Sequence, residues 1–442
     1  MNIAVVGLGY VGVCTAASFA AWGHQVFGVD VDERKIRLLR EAVPPFYEVG
    51  LDAALQRLTA TGRLRFTTSL ADTVAASDVV FITVGTPSDV DGRADVSSVL
   101  AVARQIGEVM EDYRLVVVKS TVPVGTTDTV RRIIGAALRE RGRTIAFDVA
   151  ANPEFLREGS ALKDALNPDR IVVGTDAERA ATALRQLYAA AERPVFVTTV
   201  RNAEMIKYAS NAFLAAKISF VNELARLCEH TGADVVEVSR GMGMDARIGP
   251  YFLQAGIGYG GSCFPKDVRA LIRLGQEHGL VLDLLQKVEQ VNQTQVEWCM
   301  SKLAGRLGGL SGRRIALLGL TFKPHTDDIR EAPSLRVIQM LLQEGALVSA
   351  FDPKGATHVQ SLYPALRCAA TPYEAAAGAD AVLLLTEWPQ IVGLNWQALR
   401  QVVQGNVLLD ARNALQPAEM RRAGFQYMGV GRGVAEDGGD GP

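Results

Sequence analysis

The sequence has few of the features that mark secreted, membrane-spanning or nucleic-acid-binding proteins. Its five cysteines are scattered and odd in number, and no CxxC or Cys/His cluster appears. This pattern indicates neither a disulfide framework nor a zinc site, and we predict no metal ligands. The chain also lacks an uncharged apolar run of ~20 residues, the length of a transmembrane helix. The N-terminus has no basic segment of the kind that begins a signal peptide.

The composition is that of an ordinary soluble globular protein. Apolar residues make up 48% of the chain, charged residues 21%, and the formal net charge is −2. With a charge so close to zero and no basic run, binding to nucleic acid or to a membrane surface by bulk charge is not expected. A length of 442 residues predicts two to four domains. A reducing cytoplasm fits this cysteine usage.

A glycine-rich turn follows the first predicted strand, residues 2–6. The turn reads GLGYVG from Gly7 to Gly12, small helix-compatible residues follow it, and a second strand ends in Asp30. A GxGxxG motif alone is weak evidence, but together with a strand, a helix and a later acidic residue it is a dinucleotide-binding fingerprint. The pattern predicts a Rossmann unit that binds NAD.

Each glycine of this turn has an expected role. Gly7 makes the turn, Gly9 admits the pyrophosphate and Gly12 allows close packing of helix on strand. The N-terminus of the helix receives the phosphate charge. Asp30 is expected to accept hydrogen bonds from the adenosine ribose, which favours NAD over NADP. The basic residues Arg34 and Lys35 lie close by in the sequence and weaken that argument.

Two continuous apolar runs, 78–84 and 115–121, indicate parallel strands that are covered on both faces. Ligands bind at the carboxyl ends of such strands. Thr86 and Thr121 fall there and are candidate neighbours of the cofactor, while either hydroxyl can equally serve as a cap or turn former.

A single cysteine lies in the run GYGGSCFPKD, residues 258–267. Pro265 suits the first turn of a helix, which would put Cys263 near the N-terminus of that helix. There the helix dipole and Lys266 favour the thiolate. Asp267, four residues later, would share a helix face with Cys263. A nucleophile beside a carboxylate suits covalent catalysis followed by hydrolysis, whereas most lone cysteines are buried small hydrophobes.

This stretch resembles the catalytic-cysteine signature of the nucleotide-sugar 6-dehydrogenases, the UDP-glucose/GDP-mannose dehydrogenase family. Members that act on GDP-mannose usually have Leu after the cysteine, and members that act on UDP-N-acetyl sugars typically have His before it. Ser262 and Phe264 stand at these positions here, which favours UDP-glucose. The resemblance covers about residues 1–430 and implies a four-electron oxidation of UDP-glucose to UDP-glucuronate by two NAD, a reaction that serves polysaccharide biosynthesis.

The resemblance also implies site residues by matching motifs. Catalytic roles fall on Cys263, Lys207, Asn211, Asp267, Thr121 and Glu154. Cofactor contacts fall on Gly7, Gly9, Val11, Gly12, Asp30, Lys35, Thr86, Thr121, Glu158, Lys266 and Arg330. Substrate contacts fall on Glu154, Phe155, Leu156, Arg157, Glu158, Lys207, Asn211, Arg247, Phe252, Leu253, Gln254, Ala255, Gly256, Gly260, Phe322, Lys323 and Arg412. Relatives sometimes carry a lysine at the Gln254 position, and Arg412 matches an arginine that reaches the substrate of a partner subunit.

From Gly312 the sequence repeats its opening pattern weakly, with an apolar strand, a glycine turn at Gly319 and a strand ending in Asp352. The second turn lacks GxGxxG, so a nucleotide other than a second NAD is expected there. The predicted fold class is therefore α/β, with two Rossmann-like doubly wound parallel-sheet domains joined by a central helical region. The expected limits are 1–200 for the NAD domain, 201–310 for the helical region, 311–432 for the UDP-sugar domain and 433–442 for a disordered tail.

Other functions remain open at this level. GDP-mannose 6-dehydrogenase is the alternative within the family, and a two-electron hydroxyacid dehydrogenase would share the Rossmann unit together with Lys207 and Asn211. A nucleotide-binding regulatory protein would keep the glycine motifs and could lose Cys263. We expect a homodimer or higher homo-oligomer. The base, the sugar, the oligomeric state and the pathway are not determined by these patterns.

Overall fold

The computed structural model describes residues 1–89 and 91–432, so the predicted disordered tail, 433–442, lies outside the described residues. The chain divides into two compact units, Met1–Ser210 and Asn211–Pro442. Each unit contains a sheet flanked by helices. The boundary between the units falls inside one long helix, Val200–Thr231.

The first unit is built on a mostly parallel sheet. Its strands are β1 Asn2–Val6, β2 Gln25–Val29, β3 Leu64–Thr67, β4 Val79–Ile82, β5 Arg114–Val118, β6 Phe147–Ala151, β7 Ile171–Gly174 and β8 Val195–Thr198. Their order across the sheet is β3-β2-β1-β4-β5-β6-β7-β8. Only β6 and β7, among these paired strands, run antiparallel.

Helices connect these strands and cover both faces of the sheet. They are α1 Tyr10–Ala21, α2 Glu33–Arg40, α3 Leu51–Ala60, α4 Leu70–Ala76, α5 Ser97–Val109, α6 Thr126–Glu140, α7 Ala161–Leu166, α8 Glu178–Leu187, the short 3-10 helix Ala189–Ala191 and α9 Val200–Thr231, which continues into the second unit. Successive residues of a strand face opposite sides. Val117 accordingly joins one core and Val116 and Val118 join the other. Burial on both faces explains the continuous apolar runs in the sequence.

The second unit begins with helices and ends with another parallel sheet. The remaining helices are α10 Val235–Gly243, α11 Phe264–Glu277, α12 Asp283–Leu307, α13 Pro333–Gln343, α14 Ala356–Leu362, α15 Pro372–Ala376, α16 Pro389–Val392, α17 Trp396–Val402 and α18 Pro417–Arg422. The strands are β9 Arg314–Leu318, β10 Leu347–Phe351, β11 Arg367–Cys368, β12 Ala381–Leu384, β13 Val407–Asp410 and β14 Gln426–Met428. They are arranged in the order β11-β10-β9-β12-β13-β14.

The internal repeat is visible in matching hydrogen bonds of the two sheets. The carboxylate of Asp30 accepts from the backbone N–H of Leu8 at 2.7 Å, and that of Asp352 accepts from Leu320 at 2.6 Å. In both sheets the aspartate that ends the second strand therefore holds the turn after the first strand. The predicted fold class, two doubly wound parallel-sheet domains with a helical region between them in the sequence, is confirmed.

Candidate active site

The glycine turn between β1 and α1 has the geometry that the sequence predicts. Gly7 adopts a positive φ of 98°. A Cβ on Gly12 would stand 1.9 Å from the carbonyl oxygen of Gly7, so only glycine fits there. A Cβ on Gly9 would meet no atom within 4 Å, which leaves open space above the start of α1. This space and the N-terminus of α1 suit the pyrophosphate of a dinucleotide.

Asp30 is a firmly held carboxylate beside this turn. It accepts hydrogen bonds from the backbone N–H groups of Leu8 at 2.7 Å and Asp32 at 3.1 Å, and from the ammonium of Lys35 at 2.8 Å. Burial opposes ionisation of Asp30, but the hydrogen bonds from Lys35, Leu8 and Asp32 prevail and lower the pKa of the carboxyl group. Asp30 and Lys35, both predicted cofactor contacts, are therefore brought together as an ion pair.

The two predicted hydroxyl residues also meet. The side-chain hydroxyl of Thr86 donates to the backbone carbonyl of Thr121 at 2.8 Å. Thr86 follows β4 and Thr121 follows β5, and these strands are neighbours in the sheet. The hydrogen bond joins the two loops at the carboxyl edge, where cofactors bind in open α/β sheets.

Glu154 and Lys207 form a buried ion pair in the first unit. Lys207 Nζ lies 3.0 Å from Glu154 Oε1, and the two side chains are only 4% and 5% exposed. The other carboxylate oxygen of Glu154 accepts from the backbone N–H of Leu156. The ring of Phe155 lies 5.4 Å from Lys207 Nζ and 3.9 Å from the guanidinium of Arg170. A carboxylate and an ammonium in contact, shielded from water, can exchange a proton or stabilise an oxyanion.

The cysteine stretch begins a helix, as predicted. Cys263 is the N-cap residue of α11, and Pro265 lies in the first turn. Cys263 Sγ is partly exposed and lies 3.6 Å from the hydroxyl of Ser262. The backbone N–H of Asp267 donates to the carbonyl of Cys263 at 2.9 Å, so the carboxylate lies one helical turn beyond the thiol.

Asp267 is the centre of a polar cluster in the second unit. It is 1% exposed. Its carboxylate accepts from the side-chain amide of Asn211 at 2.6 Å and from the ammonium of Lys266 at 2.6 Å. Three residues with predicted catalytic or cofactor roles are therefore in direct contact.

The glycines before Cys263 pack against the second sheet's loops. A Cβ on Gly260 would stand 2.1 Å from the carbonyl oxygen of Glu331, and one on Gly261 would stand 2.7 Å from the ring of Phe322. The backbone N–H of Gly261 donates to the carbonyl of Arg330 at 2.9 Å. The close approach of the backbone to these neighbouring groups therefore requires glycine at both positions.

The guanidinium of Arg412 forms hydrogen bonds with backbone carbonyls of its own chain. Its guanidinium donates to the carbonyls of Leu385 at 2.8 Å, Gly258 at 3.1 Å and Phe322 at 2.9 Å. These bonds tie the loop after β13 to the cysteine stretch. The expectation that Arg412 reaches the substrate of a partner subunit remains a prediction.

The other predicted contacts differ in their exposure. Arg157 pairs with Asp164 at 2.8 Å, Arg247 pairs with Asp245 at 2.6 Å and Arg330 pairs with Asp328 at 2.7 Å. Leu253, Ala255 and Gly256 are buried, whereas Gln254 is exposed. Lys323 lies with its ammonium 5.4 Å from the ring of Phe322. The roles assigned to these residues, and to Val11 and Glu158, remain predictions.

The sequence did not reveal a set of side-chain amides that hold the cysteine stretch, two of which, Asn222 and Gln295, are fully buried. Asn222 on α9 accepts from the backbone N–H of Gly256 at 2.8 Å, and Gln295 on α12 donates to the carbonyl of Gly256 at 2.9 Å. Asn292 binds both the N–H and the carbonyl of Tyr259. The signal available in the sequence was Asn292 and Gln295, three residues apart on one face of a helix.

No group of three or more His, Cys, Asp or Glu side chains able to hold a metal ion occurs within residues 1–89 and 91–432. The same described part of the chain contains no helix long and apolar enough to cross a membrane.

The first unit's glycine turn and anchored acidic residue, with polar side chains at the carboxyl edge of the sheet, define a dinucleotide-dependent dehydrogenase. Family models of the UDP-glucose/GDP-mannose dehydrogenase family match its NAD binding domain at residues 1–192, its central domain at 201–294 and its UDP binding domain at 316–417. The chain belongs to this family and is an NAD-dependent oxidoreductase.

Individual relatives agree with this assignment. The chain is 48% identical to a UDP-glucose 6-dehydrogenase of Pseudomonas aeruginosa, with 98% of each protein covered. It is 46% identical to a UDP-glucose 6-dehydrogenase of Rhizobium meliloti, covering 98% of this chain and 100% of the relative. The structure of a UDP-glucose dehydrogenase from Pyrobaculum islandicum superposes with a TM-score of 0.90 at 43% identity, covering 97% of both chains.

Proposed function

We propose that the protein oxidises the C6 hydroxyl of UDP-glucose to a carboxylate, yielding UDP-glucuronate at the expense of two NAD and one water. The observation that carries the proposal is the arrangement at the start of α11. Cys263 is the N-cap residue of this helix, and the buried Asp267 lies one turn later, held by Asn211 and Lys266. A thiol followed by an anchored carboxylate suits a covalent intermediate that water then hydrolyses. A two-electron hydroxyacid dehydrogenase needs neither group.

The first oxidation converts the primary alcohol into an aldehyde. Glu154 accepts the proton of the C6 hydroxyl, and the ammonium of Lys207 stabilises the negative charge that develops on the oxygen. Bound NAD supplies the hydride acceptor for each oxidation. The ion pair between Glu154 and Lys207 supports these roles because it is buried at 3.0 Å, where electrostatic effects are strong.

The second oxidation requires the thiol. The thiolate of Cys263 adds to the aldehyde carbon, and a C–S bond forms as a thiohemiacetal. Glu154 accepts the proton of the thiohemiacetal hydroxyl as C6 loses its second hydride, and a thioester forms. Retaining the aldehyde as a covalent adduct prevents its escape. Lys207 and Asn211, one turn apart on α9, stabilise the oxyanion.

Hydrolysis releases the product. Water attacks the thioester carbon, the C–S bond breaks, and the electron pair returns to the sulfur of Cys263. Asp267 accepts a proton from the attacking water, and Thr121 positions that water. The water oxygen becomes one oxygen of the glucuronate carboxylate. Both hydrides leave C6, so two NADH form for each UDP-glucose.

We further propose that the protein acts as a homodimer in the cytoplasm. On α9, Phe213, Phe220 and Leu227 are 66%, 50% and 57% exposed. They are spaced seven residues apart, and seven residues make nearly two helical turns, so these side chains form one apolar stripe. Such a stripe on a helix favours contact with a second copy of the chain.

The decisive measurement counts NADH formed per sugar nucleotide consumed. The purified protein is incubated with NAD and, separately, with UDP-glucose, GDP-mannose and UDP-N-acetylglucosamine. We expect two NADH for each UDP-glucose and a far lower kcat/KM with the other two compounds. One NADH per sugar would identify a two-electron dehydrogenase, and preferential use of GDP-mannose would identify the family's other activity.

A further inference from the structure

Lys119 is a buried cation that the proposed mechanism does not use. It follows β5, and the residue is 7% exposed. Its ammonium lies 3.2 Å from Asn152 Oδ1 and 3.4 Å from the hydroxyl of Tyr188. Both partners are neutral, and no carboxylate within residues 1–89 and 91–432 lies within ion-pair distance of it. Burying an ammonium without a direct counter-ion is costly, so its presence calls for a physical reason.

The backbone register places Lys119 close to the turn that carries Glu154. Val118 of β5 pairs with Ala151 of β6. Lys119 and Asn152 therefore follow neighbouring strands, and Glu154 comes two residues after Asn152. The amide of Asn152 is fixed in orientation, because its Nδ2 donates to the carbonyl of Val172 at 2.8 Å and its Oδ1 accepts from Tyr188 at 2.5 Å.

Lys119 and Glu154 also share a cavity of about 230 Å³. Asn152 and Tyr188 line the same cavity, and Thr15 contributes a buried hydroxyl that has no hydrogen-bond partner among the described residues. A polar space of this volume holds several water molecules. The other charged groups that line it are Arg157, Lys163, Asp164, Asp169 and Arg170.

Electrostatics couple Lys119 to the Glu154–Lys207 pair. Burial lowers the pKa of Lys119 to about 8, the negative charge of Glu154 opposes this shift, and the positive charge of Lys207 adds to it. Glu154 thus has a directly bonded ammonium, Lys207, and a second ammonium across the cavity. At neutral pH the second cation is charged, and above about pH 8 it loses its proton.

We propose that Lys119 is a positioning residue for Glu154: with Lys207 it holds the Glu154 carboxylate in place to accept the substrate proton. The proposal rests on the function of Glu154 given above. Asn152 and Tyr188 hold the Lys119 ammonium in place beneath the turn. In this view the protein tolerates the unfavourable burial of the ammonium because the charge serves catalysis.

The test compares Lys119→Met with Lys163→Met. Both variants remove a lysine that lines the cavity, but Lys163 is an exposed residue on α7. We expect the acidic limb of the kcat/KM–pH profile of Lys119→Met to move up by about one pH unit, which is about a tenfold loss at a given pH on that limb. The two profiles should converge above pH 8, and Lys163→Met should match the wild type.

Thermal stability separates a functional lysine from a structural one. Replacing a buried, unpaired ammonium by an apolar side chain of similar length is expected to leave Tm at neutral pH unchanged or raised. Lys119→Gln provides a second neutral variant and should show the same shifted acidic limb. A profile that overlays the wild type in either folded variant overturns the proposal, and so does failure of both variants to fold.

The NADH count of the wild type distinguishes the two levels of inference. If the wild type forms two NADH per UDP-glucose and the Lys119→Met profile is unchanged, only the role of Lys119 fails. If the wild type forms no NADH from UDP-glucose, the proposed function fails and the role of Lys119 fails with it.

Discussion

Cys263 combines partial exposure with a position at the start of a helix. Structural cysteines such as Cys299 are fully buried, and burial raises the pKa of that thiol to about 12. Cys263 instead is the N-cap residue of α11, at the positive end of the helix dipole. The difference in surroundings, and not the residue type, separates the proposed nucleophile from the other cysteines.

Substituting Cys263 by serine tests the covalent step. We expect Cys263→Ser to lose steady-state turnover and to stall as a covalent sugar-nucleotide adduct or to retain the aldehyde, because an ester is less electrophilic than a thioester. Intact-mass spectrometry after incubation with UDP-glucose and NAD detects a covalent adduct, and the NADH count measures the loss of turnover. The control is Cys368→Ser, a partly exposed cysteine far along the chain. Two NADH per sugar at the wild-type rate, without an adduct, would exclude Cys263 as the nucleophile.

Lys207 is the second residue whose role can be isolated. Loss of one oxyanion donor typically costs about 10² to 10³ in kcat, so we expect at least a 10²-fold decrease for Lys207→Ala and a much smaller effect on UDP-glucose binding. Lys217→Ala is the matched control on the same helix, where the Lys217 ammonium donates to the carbonyl of Ile248. Steady-state kinetics measures the change in kcat, and equilibrium binding measures the affinity for UDP-glucose. A near-normal kcat would show that Lys207 belongs to a structural ion pair and has no catalytic role.

At the scale of elements, a side chain from one helix fixes the start of another. The carboxylate of Glu204 on α9 accepts from the backbone N–H of Gly125 at 2.6 Å and of Thr127 at 2.8 Å, at the N-terminus of α6. Burial raises the pKa of Glu204, although these hydrogen bonds oppose the shift. Because Thr121 lies in the loop just before α6, Glu204 links α9, which carries Lys207, to that loop.

Replacing this carboxylate should weaken the link. In Glu204→Gln an amide N–H₂ faces backbone donors, so we expect a loss of about 1–2 kcal/mol in the free energy of unfolding, the usual range for a lost helix cap. We also expect kcat to fall as the Thr121 loop shifts. Glu178→Gln changes an exposed glutamate in the first turn of α8 and should alter neither quantity. Denaturant unfolding and kinetics measure the two effects; unchanged stability in Glu204→Gln would show that the two hydrogen bonds contribute little.

The elements themselves were largely predictable because their signals are local. The glycine turn, the apolar parallel strands and the proline at the start of α11 each depend on a few neighbouring residues. The contact partners of Asp267 and Glu154 were not predictable in the same way. Asn211 is 56 residues from Asp267, and Lys207 is 53 residues from Glu154. Only the family resemblance assigned these residues to the same site. No periodicity in the sequence indicates which of their side chains are in contact.

The roles of buried polar side chains were also not predictable from local sequence patterns. Lys119 lies in the apolar run 115–121, where no sequence pattern gave it a role. Asn222 and Gln295 have no feature in the sequence that distinguishes them from other polar helix residues. Their function is visible only when the atoms they bind are known, because a buried donor or acceptor requires a partner. The three backbone carbonyls that bind the guanidinium of Arg412 were equally absent from the sequence signal.

For the whole molecule, the exposed stripe on α9 predicts assembly. Single exposed apolar residues are common on monomers, but a row of them on one helix face is costly in water. A charge in the middle of a self-complementary interface appears twice in the dimer and disrupts it. Phe220, central in the stripe, is therefore the residue to change.

We expect the wild type to have the mass of a dimer or a larger even assembly in size-exclusion chromatography with light scattering, and Phe220→Asp to shift toward a mass of about one chain. Leu362→Asp is the matched control, because Leu362 on α14 is 58% exposed and lies outside the stripe, and Phe220 itself is 50% exposed. Circular dichroism of both variants verifies that they remain folded.

If Phe220→Asp keeps the wild-type mass while folded, the stripe is not the interface. If the wild type is itself a monomer, the proposed dimer is wrong, because the apolar stripe then stays in water without driving association.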